Sequence, residues 1–372
     1  MEVLFESWSL IVILASAFVI GWGAETAQTF MSRALALSIL AWLQTLPEFA
    51  VEATIAWNQQ RDLMIANLTG SLRLLVGLGW PMIFFVHFFF QGLRKSRFVR
   101  EIQLPDEDAL GILFLFISVL YFFVILAKAS LTVWDAGVLT IIYVVYLVII
   151  ARQPAHAAEE EEDLPWIGRK IVALEPVPKV LATTMIFVGG GVALYFSVHP
   201  FIETLQKWSL ALGILPFVFV QWVAPFLSEF PEKVSAFNWA RQTKKAPMAL
   251  MNMVNSNINQ WTMLAAMIPV VFSISLGHIE PVLLDRMHQY ELALTIAQSI
   301  LGGLLLLDMK FSIVDASLIF FLWFVQFVVA SLREEVLWAY VIWIGWELLR
   351  FAYLYLKERH LPKAIKVILK PK

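Results

Sequence analysis

Two proline–glutamate pairs stand inside long apolar stretches of this sequence and are its first candidates for chemistry. They are Pro47-Glu48 in the first half of the chain and Pro231-Glu232 in the second. A glutamate in the hydrocarbon of a membrane is costly, so an acidic residue inside a spanning segment is by default a functional candidate. The proline before it removes a backbone N–H and perturbs the helix, which frees carbonyl oxygens to face an ion. Carboxylate and carbonyl oxygens are the ligands that hard cations prefer.

Oxygen-bearing side chains follow each motif at a similar distance. Ser71 comes 23 positions after Glu48, and Ser256 comes 24 positions after Glu232. The second segment is crowded with polar residues, which are Asn252, Asn255, Ser256, Asn257, Asn259 and Gln260. A run this polar is expensive in a plain spanning helix. It indicates either an ion site or hydrogen bonds between helices, and both interpretations stay open.

Further charged residues lie close to the motifs and would modulate their charge. They are Glu52, Glu229, Arg73 and Lys233. Arg73 stays protonated when buried, so we expect it to pair with Glu48, Glu52 or a carboxylate of the other half. It is either a structural ion pair beside the site or a tethered cation that stands in for a transported ion. Lys233 follows Glu229 by four residues, a spacing that favours an ion pair on a helix.

The composition is that of a membrane protein. Hydrophobic residues make up 60% of the 372 residues and charged residues only 15%, whereas a soluble domain is about half apolar and a quarter charged. The net charge is −2 and there is no cysteine, so thiolate metal sites and disulfides are excluded. No basic cluster with interleaved aromatics suggests nucleic acid as a partner. Membrane lipid and transported cations are the expected partners.

Apolar stretches of spanning length recur along the whole chain and predict an all-α integral membrane fold with about 11 transmembrane helices. The spans are predicted at 8–23, 32–57, 63–91, 108–127, 132–151, 178–198, 208–238, 247–275, 290–307, 311–330 and 335–356. The second, third, seventh and eighth are long and interrupted by polar residues, so we expect them to be kinked or broken.

Basic residues fall mainly on one side of this topology. Nineteen lie in loops or the tail on one side and five on the other. The positive-inside rule then predicts an N-terminus outside and a C-terminus in the cytoplasm of a multi-pass plasma (cell inner) membrane protein.

The two halves resemble each other, with five predicted spans in each. An odd number of spans per unit inverts the second copy, which is the arrangement typical of secondary transporters with a midplane site. We predict a first repeat at 1–152, with its motif at about 43–75, and a second repeat at 178–330, with its motif at about 227–260. An acidic cytoplasmic linker at 153–177 joins them, and an extra transmembrane helix with a basic tail follows at 331–372.

Several smaller features have structural interpretations. Asp135 and Asp315 stand at span starts and are predicted helix N-caps. Glu347 and Arg350 in the last span are predicted to pair. The glycine runs Gly189-Gly190-Gly191 and Gly302-Gly303 are predicted close helix contacts, since no phosphate-binding pattern follows them.

The paired motifs resemble the cation/calcium exchanger superfamily, the sodium/calcium exchangers and their relatives. The repeats of that family run approximately Gly-Thr-Ser-Leu-Pro-Glu and then, about two dozen residues on, Gly-Asn-x-x-Gly-Ser-Asn-x-x-Asn/Asp. The resemblance covers residues 8 to 330 and implies a secondary active cation antiporter that works by alternating access. It implies that Glu48 and Glu232 hold the ion. The full set of predicted ion-binding residues is Glu48, Glu232, Ser71, Ser256, Gln260, Asn67 and Asn252.

The first repeat departs from the family pattern. The family Asn/Asp position is Leu75 here, and Arg73 has entered the segment; in the second repeat Gln260 stands at the corresponding position. The transported cation is therefore open between Ca²⁺, Na⁺ and H⁺. Proton-coupled exchange of another cation, or a transport-inactive scaffold or sensor neutralised by Arg73 and Lys233, are the alternatives. No motif supports an enzyme, and no cofactor is expected.

Overall fold

A computed structural model describes residues 8–28, 45–95, 99–152, 166–359 and 361–369 of the chain. Its α-helices in the first half are α1 (Trp8–Gln28), α2 (Leu46–Trp57), α3 (Arg61–Leu74), α4 (Trp80–Lys95), α5 (Ala109–Lys128) and α6 (Val133–Ala151). Those that follow are α7 (Trp166–Val172), α8 (Pro176–Ala211), α9 (Pro216–Ser228), α10 (Phe230–Ala240), α11 (Ala246–Asn259), α12 (Ala265–Leu276), α13 (Arg286–Leu306), α14 (Ile313–Val328), α15 (Arg333–Glu358) and α16 (Lys363–Leu369). Short 3₁₀ turns cover Asp106–Asp108 and Ala330–Leu332.

Five continuous helical segments of the described chain are long and apolar enough to cross a membrane. They are Arg61–Leu93, Asp106–Lys128, Val133–Ala151, Pro176–Ala211 and Ala246–Leu276. Shorter apolar helical stretches cover Trp8–Gly23, Pro216–Ser228 and Ile313–Val328. The predicted all-α membrane fold is therefore confirmed, whereas the count of eleven spans stays a prediction.

Two of the long segments contain a π-helical turn at matching positions. Leu75–Gly79 joins α3 to α4, and Gln260–Leu264 joins α11 to α12. Each π turn begins four residues after a serine, Ser71 in one segment and Ser256 in the other. Such π insertions interrupt the regular backbone ladder and are frequent at functional sites. They are the breaks predicted for the third and eighth spans.

The seventh predicted span is also interrupted. Helix α9 ends at Ser228, Glu229 forms its cap, and α10 begins at Phe230. Pro47 and Pro231 each lie in the first turn of the helix that follows, where a missing N–H costs nothing. The proline therefore starts a helix in both motifs. The second predicted span falls partly on residues 29–44, which lie outside the described residues, as do the acidic run at 159–163 and the motif residues 43 and 44.

The chain forms two compact units. The first contains Met1–Ser71, Thr132–Val234 and Met263–Pro281, and the second contains Leu72–Leu131, Ser235–Thr262 and Val282–Lys372. In the first unit α1 packs along α8, and a Cβ built on Gly190 would lie 2.8 Å from the Ile20 side chain. The predicted close helix contact is thus made by Gly190, while Gly189 and Gly191 have open space beside them.

In the second unit α13 packs against α5 and α15. A Cβ on Gly302 would lie 2.8 Å from the Trp80 ring, and a Cβ on Gly303 would lie 2.8 Å from the Phe116 ring. Both glycines make the close contact that was predicted. This unit also contains two short antiparallel ladders, in which β1 (Glu101–Gln103) pairs with β4 (Lys310–Ser312) and β2 (Ser130–Leu131) pairs with β3 (Val282–Leu283).

Capping boxes begin α6 and α14. The backbone N–H of Thr132 donates to Asp135 at 2.6 Å and that of Ser312 donates to Asp315 at 2.8 Å, and in each box the aspartate N–H donates back to the hydroxyl. The prediction that Asp135 and Asp315 are the N-caps is therefore wrong in position. Thr132 and Ser312 are the cap residues and each aspartate lies at the third helical position, because the hydroxyl accepts from the aspartate N–H while the longer carboxylate reaches back to the N–H of the cap residue.

We expect Gly70→Ala to destabilise the protein. A Cβ on Gly70 of α3 would lie 1.7 Å from the backbone carbonyl oxygen of Gln221 in α9. Because a backbone atom cannot rotate away, we expect a loss of about 3 kcal/mol, at the upper end for overpacking. The matched control is Gly137→Ala in α6, where nothing lies within 4 Å of the added carbon. Denaturation of both variants in detergent measures the effect, and a stable Gly70→Ala variant would contradict this packing.

Candidate cation site

Four helices of the first unit carry the polar side chains of the candidate site. Glu48 and Glu52 are four residues apart on α2, and Asn67 and Ser71 are four residues apart on α3. Residues at this spacing lie on one face of a helix. Glu229, at the break between α9 and α10, completes the set of buried carboxylates that the described hydrogen bonds join.

Asn67 joins the two glutamates of α2. Its side-chain amide Nδ2 donates to Glu48 Oε1 at 2.5 Å and to Glu52 Oε2 at 2.7 Å. All three side chains are buried. Hydrogen bonds from a neutral amide to carboxylates offset part of the cost of removing the carboxylates from water.

The two halves of the chain exchange hydroxyl hydrogen bonds at this cluster. Ser228, two residues before Phe230 of the second motif, donates to Glu48 of the first motif. Ser71, from the segment after the first motif, donates to Glu229 beside the second motif. The exchange is therefore reciprocal, and it brings the surroundings of both Pro-Glu motifs together within the first unit.

Lys233 contributes a positive charge to the cluster. Its Nζ lies 2.6 Å from Glu229 Oε2, and its side chain is buried. The predicted i,i+4 pair is confirmed, although Glu229 itself lies at the helix break. The Glu48 carboxylate is also within electrostatic range of Glu229 and Lys233.

Two oxygen atoms of the cluster accept no hydrogen bond from any described residue. They are Oε1 of Glu52 and Oδ1 of Asn67. Buried polar atoms without a donor are uncommon in native proteins. A carboxylate oxygen and an amide oxygen are both hard donors, and these two are suited to a hard cation.

Glu232 and the second polar segment are buried as predicted. Glu232 lies in the first turn of α10, within the first unit. Asn252 and Ser256 lie on α11, and Gln260 opens the π turn, all in the second unit. Within that unit Asn257 donates to the backbone carbonyl of Leu72 at 3.3 Å, so part of the polar run forms hydrogen bonds between helices.

Arg73 is paired in the second unit. Its guanidinium lies 2.5 Å from Glu291 Oε2 and donates to Gln326 at 2.9 Å. Glu291 also pairs with Arg333, so one buried carboxylate lies between two arginines. Of the three kinds of partner expected for Arg73, the carboxylate of the other half is the one found here.

Neutral side chains extend the hydrogen-bond network around Arg73. Gln298 donates to the backbone carbonyl of Arg73 at 3.0 Å, and Gln326 donates to Gln298 at 3.1 Å and to the Tyr340 hydroxyl at 3.3 Å. Sequence reasoning did not select Glu291, Gln298 or Gln326. Each is a polar residue inside a predicted span, and that signal could have identified them.

The last helix contributes to this unit through Arg333 and Tyr340. It also contains the predicted ion pair between Arg350 and Glu347, whose charged atoms are 2.7 Å apart. The Arg350 guanidinium lies 3.2 Å from Asp308 as well. The extra helix is therefore tied to the rest of the second unit by buried and half-buried ionic contacts.

Comparison with known proteins decides the family. A family model described as sodium/calcium exchanger protein matches residues 3–152 and 182–332. The chain belongs to this family. It is thus a multi-pass membrane transporter of the exchanger type and not an enzyme, as the resemblance of its motifs implied.

Solved structures agree with this membership. The H⁺/Ca²⁺ exchanger CAX is 28% identical, with a TM-score of 0.88 over 99% of this chain and 90% of that one. The sodium-calcium exchanger NCX_Mj, in crystals soaked with Na⁺ and Sr²⁺, is 19% identical, with a TM-score of 0.58 over 86% of this exchanger and 95% of that chain. The latter likeness concerns the fold. Comparison with curated proteins finds no match.

We expect Asn67→Leu to destabilise the exchanger by about 3 kcal/mol, because it removes two hydrogen bonds to buried carboxylates and leaves their oxygens less satisfied. The control is Asn58→Leu, since Asn58 is exposed and its hydrogen bond to His199 is at the surface. The free energy of unfolding in detergent measures both changes. Equal losses in the two variants would contradict the role of Asn67.

We expect Arg73→Leu to destabilise the exchanger by about 3 kcal/mol, because Glu291 Oε2 and Gln326 Oε1 each lose a buried donor. Arg333 still pairs with Glu291 in this variant. Arg61→Leu is the control, since the Arg61–Glu280 pair is 40% and 34% exposed and such pairs contribute less than about 1 kcal/mol. The same unfolding measurement applies. Unchanged stability of Arg73→Leu would exclude a central structural role for this arginine.

Proposed function

We propose that this exchanger is a secondary active antiporter that moves a divalent cation such as Ca²⁺ in exchange for protons, by alternating access. The observation that carries the proposal is the buried cluster of Glu48, Glu52 and Glu229, which hydrogen bonds from both halves of the chain hold together. The motifs alone favour a sodium-driven mechanism of the sodium/calcium exchanger type, and the flux experiment distinguishes it from proton exchange.

The donor set supports a divalent hard cation. Glu52 Oε1 and Asn67 Oδ1 accept no hydrogen bond from the described residues, and both are oxygen donors. Ca²⁺ takes six to eight oxygen ligands from carboxylates, amides and water. Glu232 and Ser71, which belong to the same unit as the cluster, are proposed as further ligands. Asn252, Ser256 and Gln260 stay predicted ion-binding residues from the sequence alone.

The charge of the cluster supports proton coupling. Three carboxylates within one buried network repel one another, and Lys233 offsets only one of them. When a divalent cation leaves, protons are the smallest ions that neutralise the remaining charge in a low-dielectric site. The similarity to the H⁺/Ca²⁺ exchanger CAX supports the same assignment. Leu75 stands at the family Asn/Asp position, so this chain offers no side-chain oxygen ligand there.

The proposed architecture has two inverted five-helix repeats, at 1–152 and 178–330, with an eleventh span outside them. The matching π turns, the two capping boxes and the reciprocal serine hydrogen bonds support it, because each occurs once in each half. The proposed location is the plasma membrane, with the N-terminus outside and the C-terminus in the cytoplasm. The loop charges of the sequence support this orientation.

Flux into proteoliposomes tests the function. With the purified exchanger reconstituted, we expect ⁴⁵Ca²⁺ uptake into vesicles whose lumen is more acidic than the outside. For Glu48→Gln we expect the rate of this uptake to fall by at least about 100-fold, since one buried carboxylate charge is then absent. Asn58→Leu, at the surface, serves as the control for reconstitution.

The driving gradient separates the alternatives. Uptake under a sodium gradient but not under a proton gradient would replace the proton by Na⁺. Absence of Ca²⁺ flux under every ion and pH gradient, in a folded and reconstituted protein, would contradict transport and favour a scaffold or sensor.

A further inference from the structure

A lysine lies inside the carboxylate cluster and pairs with one of its glutamates. Lys233 Nζ is 2.6 Å from Glu229 Oε2, and the side chain of Lys233 is 5% exposed. The other oxygen of the same carboxylate, Oε1, accepts a hydrogen bond from Ser71. Both oxygens of Glu229 are therefore engaged by the protein itself, in contrast to Glu52, whose Oε1 accepts no hydrogen bond from the described residues.

We infer that Lys233 is an internal counter-ion that occupies Glu229 in place of a transported cation, and that it thereby sets the number of protons exchanged per divalent cation. This inference rests on the proposed function. It concerns the coupling ratio of the exchanger, which the fold and the family leave open.

The net charge of the cluster determines how many protons neutralise it. Glu48, Glu52 and Glu229 carry three negative charges when ionised, and Lys233 carries one positive charge. A cluster with net charge −2 is neutralised by one divalent cation or by two protons. Without the ammonium group the empty cluster takes up a third proton, on Glu229. When Ca²⁺ binds, Glu229 becomes a further carboxylate ligand and releases that proton, so three protons leave for each Ca²⁺ that enters. The adjacent Glu232 adds the same charge in both cases, so the difference of one proton does not depend on it.

The geometry makes Lys233 a fixed member of the site. Its backbone N–H donates to the carbonyl of Glu229 at 3.2 Å, so the pair is closed by a backbone bond as well as by the side chains. A buried ammonium is stable only beside an opposite charge. The other buried cation near the motifs, Arg73, is held in the second unit by Glu291. Within the described cluster, Lys233 is therefore the cation that offsets the carboxylates.

The dependence of transport on membrane potential tests this inference. Proteoliposomes with a fixed Ca²⁺ gradient are clamped at a series of membrane potentials with K⁺ and valinomycin, and the pH gradient at which net ⁴⁵Ca²⁺ flux is zero is measured at each potential. Two protons per Ca²⁺ move no net charge, so this pH gradient does not change with potential, whereas three protons per Ca²⁺ move one charge and make it shift with potential. We expect Lys233→Met to exchange one more proton per Ca²⁺ than the wild type. We expect Glu229→Gln/Lys233→Met, which removes both charges, to restore the wild-type ratio.

Two control variants are used, one that retains the positive charge at position 233 and one that removes a positive charge elsewhere in the same unit. Lys233→Arg keeps the positive charge, and Lys207→Met removes an exposed charge of the same unit; both are expected to keep the wild-type ratio. A Lys233→Met variant whose zero-flux pH gradient depends on membrane potential in the same way as that of the wild type would overturn the inference. If Lys233→Met gives no flux, the double variant decides: flux at the wild-type ratio supports the inference, and no flux or a changed ratio overturns it. Absence of flux in the wild type would instead overturn the proposed function.

Discussion

The burial of carboxylates away from water is the constraint on which the first unit depends. An ionised carboxylate in a low-dielectric interior is stable only with donors or counter-charges around it. Asn67 supplies two donors, Ser228 and Ser71 supply one each, and Lys233 supplies a positive charge. These groups lie on α3, α9 and α10, and the carboxylates that they stabilise lie on α2 and at the break between α9 and α10. The packing of these helices against one another is therefore what places donors and counter-charge around the carboxylates. Gly70 lets α3 approach α9 closely enough for this arrangement.

The second unit meets the same constraint with opposite charge. Glu291 lies between Arg73 and Arg333, and glutamine side chains satisfy the groups around them. Helix α3 therefore carries two kinds of polar group within one turn. Ser71 belongs to the carboxylate cluster of the first unit, and Arg73 belongs to the ionic network of the second. The last helix takes part in that network through Arg333 and Tyr340, which gives it a structural role beyond membrane anchoring.

Breaks in the helices place polar backbone and side chains where a continuous helix could not. The prolines of both motifs start a helix, so the glutamate that follows lies in its first turn, near the positive end of the helix dipole. The π turns shift the phase of the residues beyond each serine. Leu75 opens one of these turns and Gln260 opens the other. The two halves therefore each have a π turn at the matching position, but its first residue is apolar Leu75 in one half and polar Gln260 in the other.

The sequence by itself determined the membrane class, the helix breaks, the helix starts marked by Asp135 and Asp315 and the pair of Lys233 with Glu229, although each aspartate lies at the third helical position and not at the cap. All of these follow from composition, from prolines and polar interruptions, or from residues a few positions apart, and such local patterns act through the backbone nearby. Tertiary structure alone decided that Ser228 donates to Glu48 and that Ser71 donates to Glu229. It also decided that Arg73 pairs with Glu291 and not with the carboxylates of its own half. These partners are 158 to 218 residues apart. No pattern along the chain specifies such a choice, because it depends on which helix faces the packing of the fold brings together.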